Sequence, residues 1–316
     1  MQLIAREAIG GHRRFVRAAA FSPDGARFAT GDRGGDVIVR GRSAPEIRVG
    51  GADIRALAWT PCGEHLVVLD YPYVRVRRAD DLSEVAAERR GGTALGIGGD
   101  GTYAAVLGET SAQIVGLPGL VDRGWCSVYR SGYEYFSASA FGVDPRGGYI
   151  AISDDGGSTE AAMAPPLDHG IPQTTLFDVD SREAIARIEA GEYVHTLIFD
   201  PWRDRLVVGA HGGLVDIWRR DGSEMLHRFH PYPDKAHWAV AVTPLGILTV
   251  RGSGDVPPAT LDLWHPETFE LLASAEVPRR FPPRLIVASP DGRTLLTEEN
   301  LGSNDYGVRV WTVDGA

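Results

Sequence analysis

Short apolar runs recur along the whole chain, and a tight-turn sequence cuts off each of them. Residues 16–21, 54–59, 93–97, 137–143, 195–199, 238–242 and 284–288 form one set, rich in Ala, Val and other small residues. A second set follows immediately at 27–30, 65–69, 103–107, 149–153, 205–208, 247–250 and 294–297. Runs of this length, apolar or β-branched and bounded by turn signals, predict strands. Their near-continuous apolarity predicts burial on both faces. A third strand is predicted in each unit at 37–40, 74–77, 113–116, 175–177, 215–218, 261–264 and 308–311. A fourth follows in the first six units, for example at 84–88, 183–188 and 269–275. No helix is required; only 183–190 fits either a helix or a strand.

The turns carry the repeat. Ser22-Pro23-Asp24-Gly25 recurs as Ser289-Pro290-Asp291-Gly292. Altered copies begin at Thr60, Gly98, Asp144, Asp200 and Thr243, so the first positions are spaced 38, 38, 46, 56, 43 and 46 residues apart. Ser, Thr or Asp opens most of these turns, Pro pre-sets φ in six of the seven, and in most copies Gly supplies the left-handed position. Seven units of about this length, each a four-stranded meander, predict one domain built as an all-β, seven-bladed β-propeller. The seventh unit has only three strands before the sequence ends, while residues 2–7 form an alternating strand left over ahead of the first unit. A ring closed by its own N-terminal strand accounts for both and leaves no open sheet edge.

Residues 11–41 resemble one WD40 unit: Gly11-His12, then Val16, Phe21, the Ser-Pro-Asp-Gly turn and a third strand. Trp218, Trp264 and Trp311 end the third strands of the last three units, where that family carries its tryptophan. The corresponding positions in units one to four are Arg40, Arg77, Gly116 and Phe177. The family's buried aspartate, six residues before the tryptophan, is matched only by Asp305; Gly34, Gly212 and Pro258 stand there in units one, five and six. The resemblance implies a WD40-like propeller acting as an interaction module, without the complete hydrogen-bonded tetrad in any unit.

Composition narrows the function classes. The formal net charge of −10 argues against a phosphate-binding surface, since affinity for nucleic acid comes largely from Lys and Arg. No stretch approaches the roughly 20 apolar residues that cross a bilayer. Cys62 and Cys126 make no disulfide framework and no CxxC, and the N-terminus lacks a signal-peptide pattern. A cytoplasmic protein, monomeric on its own, is the expectation.

Catalysis would need a site, and the innermost strands supply no Asp or Glu, with Arg17, Arg55 and His195 as their polar exceptions. Calcium asks for several oxygen ligands, and the histidines at 195, 211, 227, 230 and 237 keep no tight zinc spacing. No metal, no cofactor and no enzymatic activity are expected; a propeller enzyme or small-ligand binder using an axial pocket is the alternative. The loops are more informative. In a meander, second-to-third turns and inter-unit links share one face, the top. The link 121–136 holds Trp125, Tyr129, Tyr133 and Tyr135, and the turn 154–173 begins with Asp154 and Asp155. Tyr71 and Tyr73 occupy the same turn of unit two, and Tyr232 and Trp238 lie in or beside the next long link. Loops on a rigid scaffold carry binding, and Tyr and Trp dominate interface hot spots. This set is expected to contact a protein or peptide partner, with Asp154 and Asp155 at a polar rim.

Overall fold

The structure is a computed structural model that describes residues 1–41, 46–128, 138–155, 172–189, 192–231, 237–253, 256–278 and 282–315. It is a WD40-like, all-β seven-bladed propeller of seven four-stranded antiparallel sheets. Blade 1 is β2 (Val16–Phe21), β3 (Arg27–Asp32), β4 (Val37–Gly41) and β5 (Ile47–Val49). Blade 2 is β6 (Ile54–Trp59), β7 (His65–Asp70), β8 (Tyr73–Arg78) and β9 (Glu84–Arg89). Blade 3 is β10 (Ala94–Ile97), β11 (Tyr103–Leu107), β12 (Ser111–Gly116) and β13 (Val121–Ser127). Blade 4 is β14 (Ala138–Val143), β15 (Tyr149–Asp154), β16 (Gln173–Asp178) and β17 (Ala184–Glu189). Blade 5 is β18 (Val194–Phe199), β19 (Arg205–Ala210), β20 (Leu214–Arg219) and β21 (Met225–Phe229). Blade 6 is β22 (His237–Thr243), β23 (Gly246–Ser253), β24 (Val256–Trp264) and β25 (Leu271–Val277). Blade 7 is β26 (Ile286–Ala288), β27 (Thr294–Gly302) and β28 (Asp305–Asp314), with β1 (Gln2–His12) as its outer strand.

The repeated tetrapeptides form the hairpins between first and second strands. Gly25 N–H donates to the Ser22 carbonyl at 2.8 Å, and the Ser22 hydroxyl donates to Asp24 Oδ1 at 2.5 Å. Ser289 and Asp291 repeat that geometry in blade 7. Gly25, Gly63, Gly101, Gly147 and Gly292 take φ between 68° and 78° at the same turn position, a conformation that a Cβ disfavours. The segment that fitted helix or strand is β17. Among the described residues the only helical piece is a short 3₁₀ turn, His211–Gly213.

Ring closure follows the sequence expectation. β1 runs antiparallel to β28 with Gln2 opposite Asp314, Leu3 opposite Val313 and Ala5 opposite Trp311. The pairing continues past the predicted strand to His12 opposite Tyr306, after two register shifts. Leu3, Trp311 and Val313 are buried in one cluster with Leu248, Leu261 and Leu263 of blade 6.

The strands fall into two compact units, blades 1, 2, 6 and 7 in one and blades 3, 4 and 5 in the other. Within the first unit, Val16 and Ala19 pack on Leu296 and Val308, and Ala29, Val39, Leu57 and Leu66 join blade 1 to blade 2. Small residues permit this approach: a Cβ at Gly31 would lie 2.4 Å from Ile54 Cγ2. Within the second unit, Ala105 and Ile114 pack on Ile150 and Phe177, and Leu176 and Ile188 pack on Leu197 and Leu206.

Candidate functional site

The innermost strands share a local irregularity. The pairing register slips between Val16 and Ala18, Ile54 and Ala56, Ala138 and Ala140, Val194 and Thr196, and His237 and Ala239. The extra residue at each slip is Arg17, Arg55, Ser139, His195 or Trp238. A bulge leaves one residue out of the ladder and re-aims its side chain. Blades 1, 2, 4 and 5 thus offer arginine twice, serine and histidine from one equivalent backbone position.

In the first unit this position gathers an arginine–aromatic cluster. Arg17 Nη1 lies 3.3 Å and Arg55 Nε 3.7 Å from Asp53 Oδ2. The Arg55 guanidinium stands 4.5 Å from the centre of the Tyr71 ring, a cation–π contact. Arg75 stands 4.7 Å from the Tyr73 ring. Its Nε donates to Asp70 at 2.8 Å and its Nη1 to Glu84 at 2.6 Å. Burial opposes its charge, but these bonds outweigh burial and raise its pKa. Tyr71 N–H donates to the Asp53 carbonyl at 3.0 Å, fastening the second-to-third turn of blade 2 to the residue before β6. Phe15, just ahead of β2, packs on Tyr306 with ring centres 4.5 Å apart and planes tilted by 48°. Phe15 is 54% exposed, Tyr71 48% and Tyr73 36%, so these rings present area to solvent instead of filling a core. Arg13, Arg14 and Arg33 are exposed nearby, a basic concentration on an acidic chain.

The other predicted contact residues fare differently. Tyr129, Tyr133, Tyr135 and Tyr232 lie outside the described residues; Trp238 belongs to β22, and its side chain lies outside them too. Trp125 is 64% exposed, but it stands on β13, the outer strand of blade 3, opposite Gln113, and not in a link. Asp154 does not stand at a polar rim: it is 1% exposed, and its Oδ1 accepts from Gln173 N–H at 3.1 Å, holding the ends of β15 and β16 together. Asp155, the next residue, is half-buried.

Asp154 belongs to a series that sequence reasoning missed. Asp32, Asp70 and Asp154 end the second strands of blades 1, 2 and 4, opposite Val16, Ile54 and Ala138, and all are buried. In blade 1, Asp32 Oδ1 accepts from Gly34 and Asp36 N–H at 2.8 and 2.9 Å, and Asp32 Oδ2 lies 3.3 Å from His12 Nδ1. His12 Nε2 is hydrogen-bonded to Thr30 Oγ1 at 2.8 Å. Burial pushes the His12 pKa below its ordinary value despite Asp32 beside it. The aspartate sought at position 34 therefore stands at 32, and Arg40, in the tryptophan's place, reaches Thr30 Oγ1 at 3.4 Å. The readable signal is the acidic residue that ends the second strand.

Of the histidines, His195 and His211 have ring centres 6.0 Å apart, and His230 bonds the Gly212 carbonyl. Burial first, then His211, lowers the His195 pKa to about 4. Among the described residues one trio of metal-ligating side chains assembles: Cys62, Glu64 and His65 on the β6–β7 turn, with ligand atoms within 4.8 Å of one another. Cys62 and Glu64 are exposed, and the Cys62 thiol already meets Thr60 Oγ1 at 3.3 Å. Among the described residues no helix is long and apolar enough to cross a membrane.

Comparison with known proteins agrees with this architecture. The family described as "WD domain, G-beta repeat" matches residues 5–39. The "66 kDa stress protein" of Physarum polycephalum is 34% identical over 70 residues, which is 21% of this chain and 12% of that protein's length. The β-propeller domain of Cps50 (Swd1) from Myceliophteria thermophila superposes with a TM-score of 0.75 at 15% identity, covering 98% of this chain and 99% of that one. At that identity the likeness speaks for fold alone, and the fold is that of a WD40-like seven-bladed β-propeller.

Proposed function

We propose that this chain is a non-catalytic, cytoplasmic interaction scaffold. It holds a protein or peptide partner, acidic in its contacting segment, against the face formed by the second-to-third turns and the starts of the innermost strands. The observation that carries this reading is the pair of bulged arginines, Arg17 and Arg55, set at equivalent points of adjacent blades beside exposed Tyr71, Tyr73 and Phe15. Aromatic and arginine side chains are the residues most enriched at binding hot spots. Arginine adds a preference for carboxylates, which it meets as a planar fork. Trp125 is an exposed aromatic of the second unit that suits the same kind of partner.

The test is affinity capture with the full chain, identification of the retained protein, and titration of variants against it. Tyr71→Ala and Arg55→Ala are expected to weaken the complex by about 2 kcal/mol each, roughly thirtyfold, without much change in melting temperature. Trp202→Ala, on the first-to-second turn of blade 5, is expected to bind normally. Abolished binding in Trp202→Ala with normal binding in both other variants would invert the docking face.

A further inference from the structure

The second unit holds a cavity of about 370 Å³ at the other end of its blades, away from the second-to-third turns. The β10–β11, β14–β15 and β16–β17 turns surround it, and Tyr103 of β11 and Arg123 of β13 reach into its wall. Most polar groups around it are engaged. Arg182 Nη1 donates to the Arg123 carbonyl at 3.1 Å, and Arg146 lies 3.4 Å from Asp204. Asp100 Oδ1 accepts from the N–H and the hydroxyl of Thr102 at 2.9 and 2.8 Å.

Three groups make no hydrogen bond or ion pair among the described residues: the Tyr103 hydroxyl, the Arg123 guanidinium and the Asp180 carboxylate. The Tyr103 side chain is only 6% exposed, and its hydroxyl is buried without a partner. Buried hydroxyls are seldom left so, because the water they lose must be replaced. Burial first, then the charges of Asp144, Asp100 and Asp180, raises its pKa, so it stays a neutral donor. Arg123 lies across β12 because Gly116 leaves room; a Cβ there would come 2.9 Å from Arg123 Nε.

Among the described residues, a guanidinium and a carboxylate that make no hydrogen bond or ion pair and one buried hydroxyl line one small cavity, and together they define a complementary ligand. A plain oxyanion would meet Arg123 but also Asp180, and a polyamine would meet the reverse mismatch. We propose that this cavity binds a small zwitterion of the amino-acid type, its carboxylate on Arg123 and the Tyr103 hydroxyl and its ammonium on Asp180. This site is separate from the partner-binding face and does not depend on it.

The experiment screens each proteinogenic amino acid against the full chain by ligand-observed NMR and then calorimetry, with glycerol 3-phosphate and spermidine as probes of a single sign of charge. One or a few amino acids are expected to bind saturably. Arg123→Gln and Asp180→Asn, both at exposed positions, are each expected to weaken them by about tenfold or more. Tyr103→Phe, which removes only the hydroxyl, is expected to weaken them several-fold and leave the melting temperature near that of the parent. The proposal is overturned if no amino acid binds, if either single-sign probe binds as tightly, or if Arg123→Gln and Asp180→Asn leave affinity unchanged.

Discussion

A threonine or a valine at one register point of the second strand decides whether a buried indole finds an acceptor. Trp264 Nε1 donates to Thr249 Oγ1 at 2.9 Å and Trp311 Nε1 to Thr297 Oγ1 at 3.0 Å. The equivalent of Thr249, opposite Asp262, is Val208, opposite Asp216. With no hydroxyl there, the buried Trp218 Nε1 has no partner among the described residues. Val208→Thr nearly conserves volume and supplies the missing acceptor, so it is expected to stabilise the fold by about 1 kcal/mol in urea unfolding. The gain should vanish when Trp218 is Phe; a gain that persists would mean that the indole is not its source. A second residue-scale expectation concerns acid. With its pKa at about 4, His195 stays neutral in the fold while the unfolded chain takes up a proton below about 6.5. Stability is therefore full above that value and falls as pH drops toward 4, by at most about 1.4 kcal/mol per pH unit from this group. His12 adds in the same direction. His195→Gln should flatten the stability–pH curve between pH 6.5 and 4.5, and an unchanged slope would remove His195 from the account.

Among the elements, those that carry the repeat were legible in the chain. Inner strands are buried on both faces and read as unbroken apolar runs, and their hairpins need Pro and a left-handed Gly, which local sequence displays. Outer strands are a different case. β13 reads Val-Asp-Arg-Gly-Trp-Cys-Ser and buries only Cys126, so it carries no apolar run and resembles a link. The sequence pattern therefore places Trp125 in a link, although it stands on a strand. The burial of Asp154 is not legible in the sequence, because its following neighbours are polar while it ends an interior strand and is covered by the backbone of Gln173. Arg17 and Arg55 were visible as polar exceptions, but only the register slip shows that both leave the ladder at one equivalent point. The closing strand tests how much one element contributes. Removing residues 1–9 strips Leu3 from Trp311 and Val313 and opens the edge of β28. Exposing two or three such side chains costs on the order of 5 kcal/mol, comparable with the whole stability of many domains. The truncated chain is expected to aggregate or melt far below the parent by calorimetry and gel filtration; a melting temperature within a degree or two would show that closure contributes little.

At the scale of the molecule, the charge distribution and the fold divide the work. The net charge is −10, while the blade 1–2 face concentrates arginines, so the acidic partner proposed above would be drawn to that face and repelled elsewhere. The pairing of Gln2 with Asp314 also has a consequence for how the protein is made. β1 leaves the ribosome roughly 300 residues ahead of the strand that completes its sheet. At 5–20 residues per second, β1 waits roughly 15 to 60 s for β28. Through that interval each nascent chain carries an unmatched strand, and its only correct mate is still being translated. A neighbouring chain on the same polysome that finishes first offers an identical β28, so exchange of β1 between two copies becomes a kinetic competitor of closure. Slower synthesis, which spaces the ribosomes, would therefore favour the monomer over an interlocked pair.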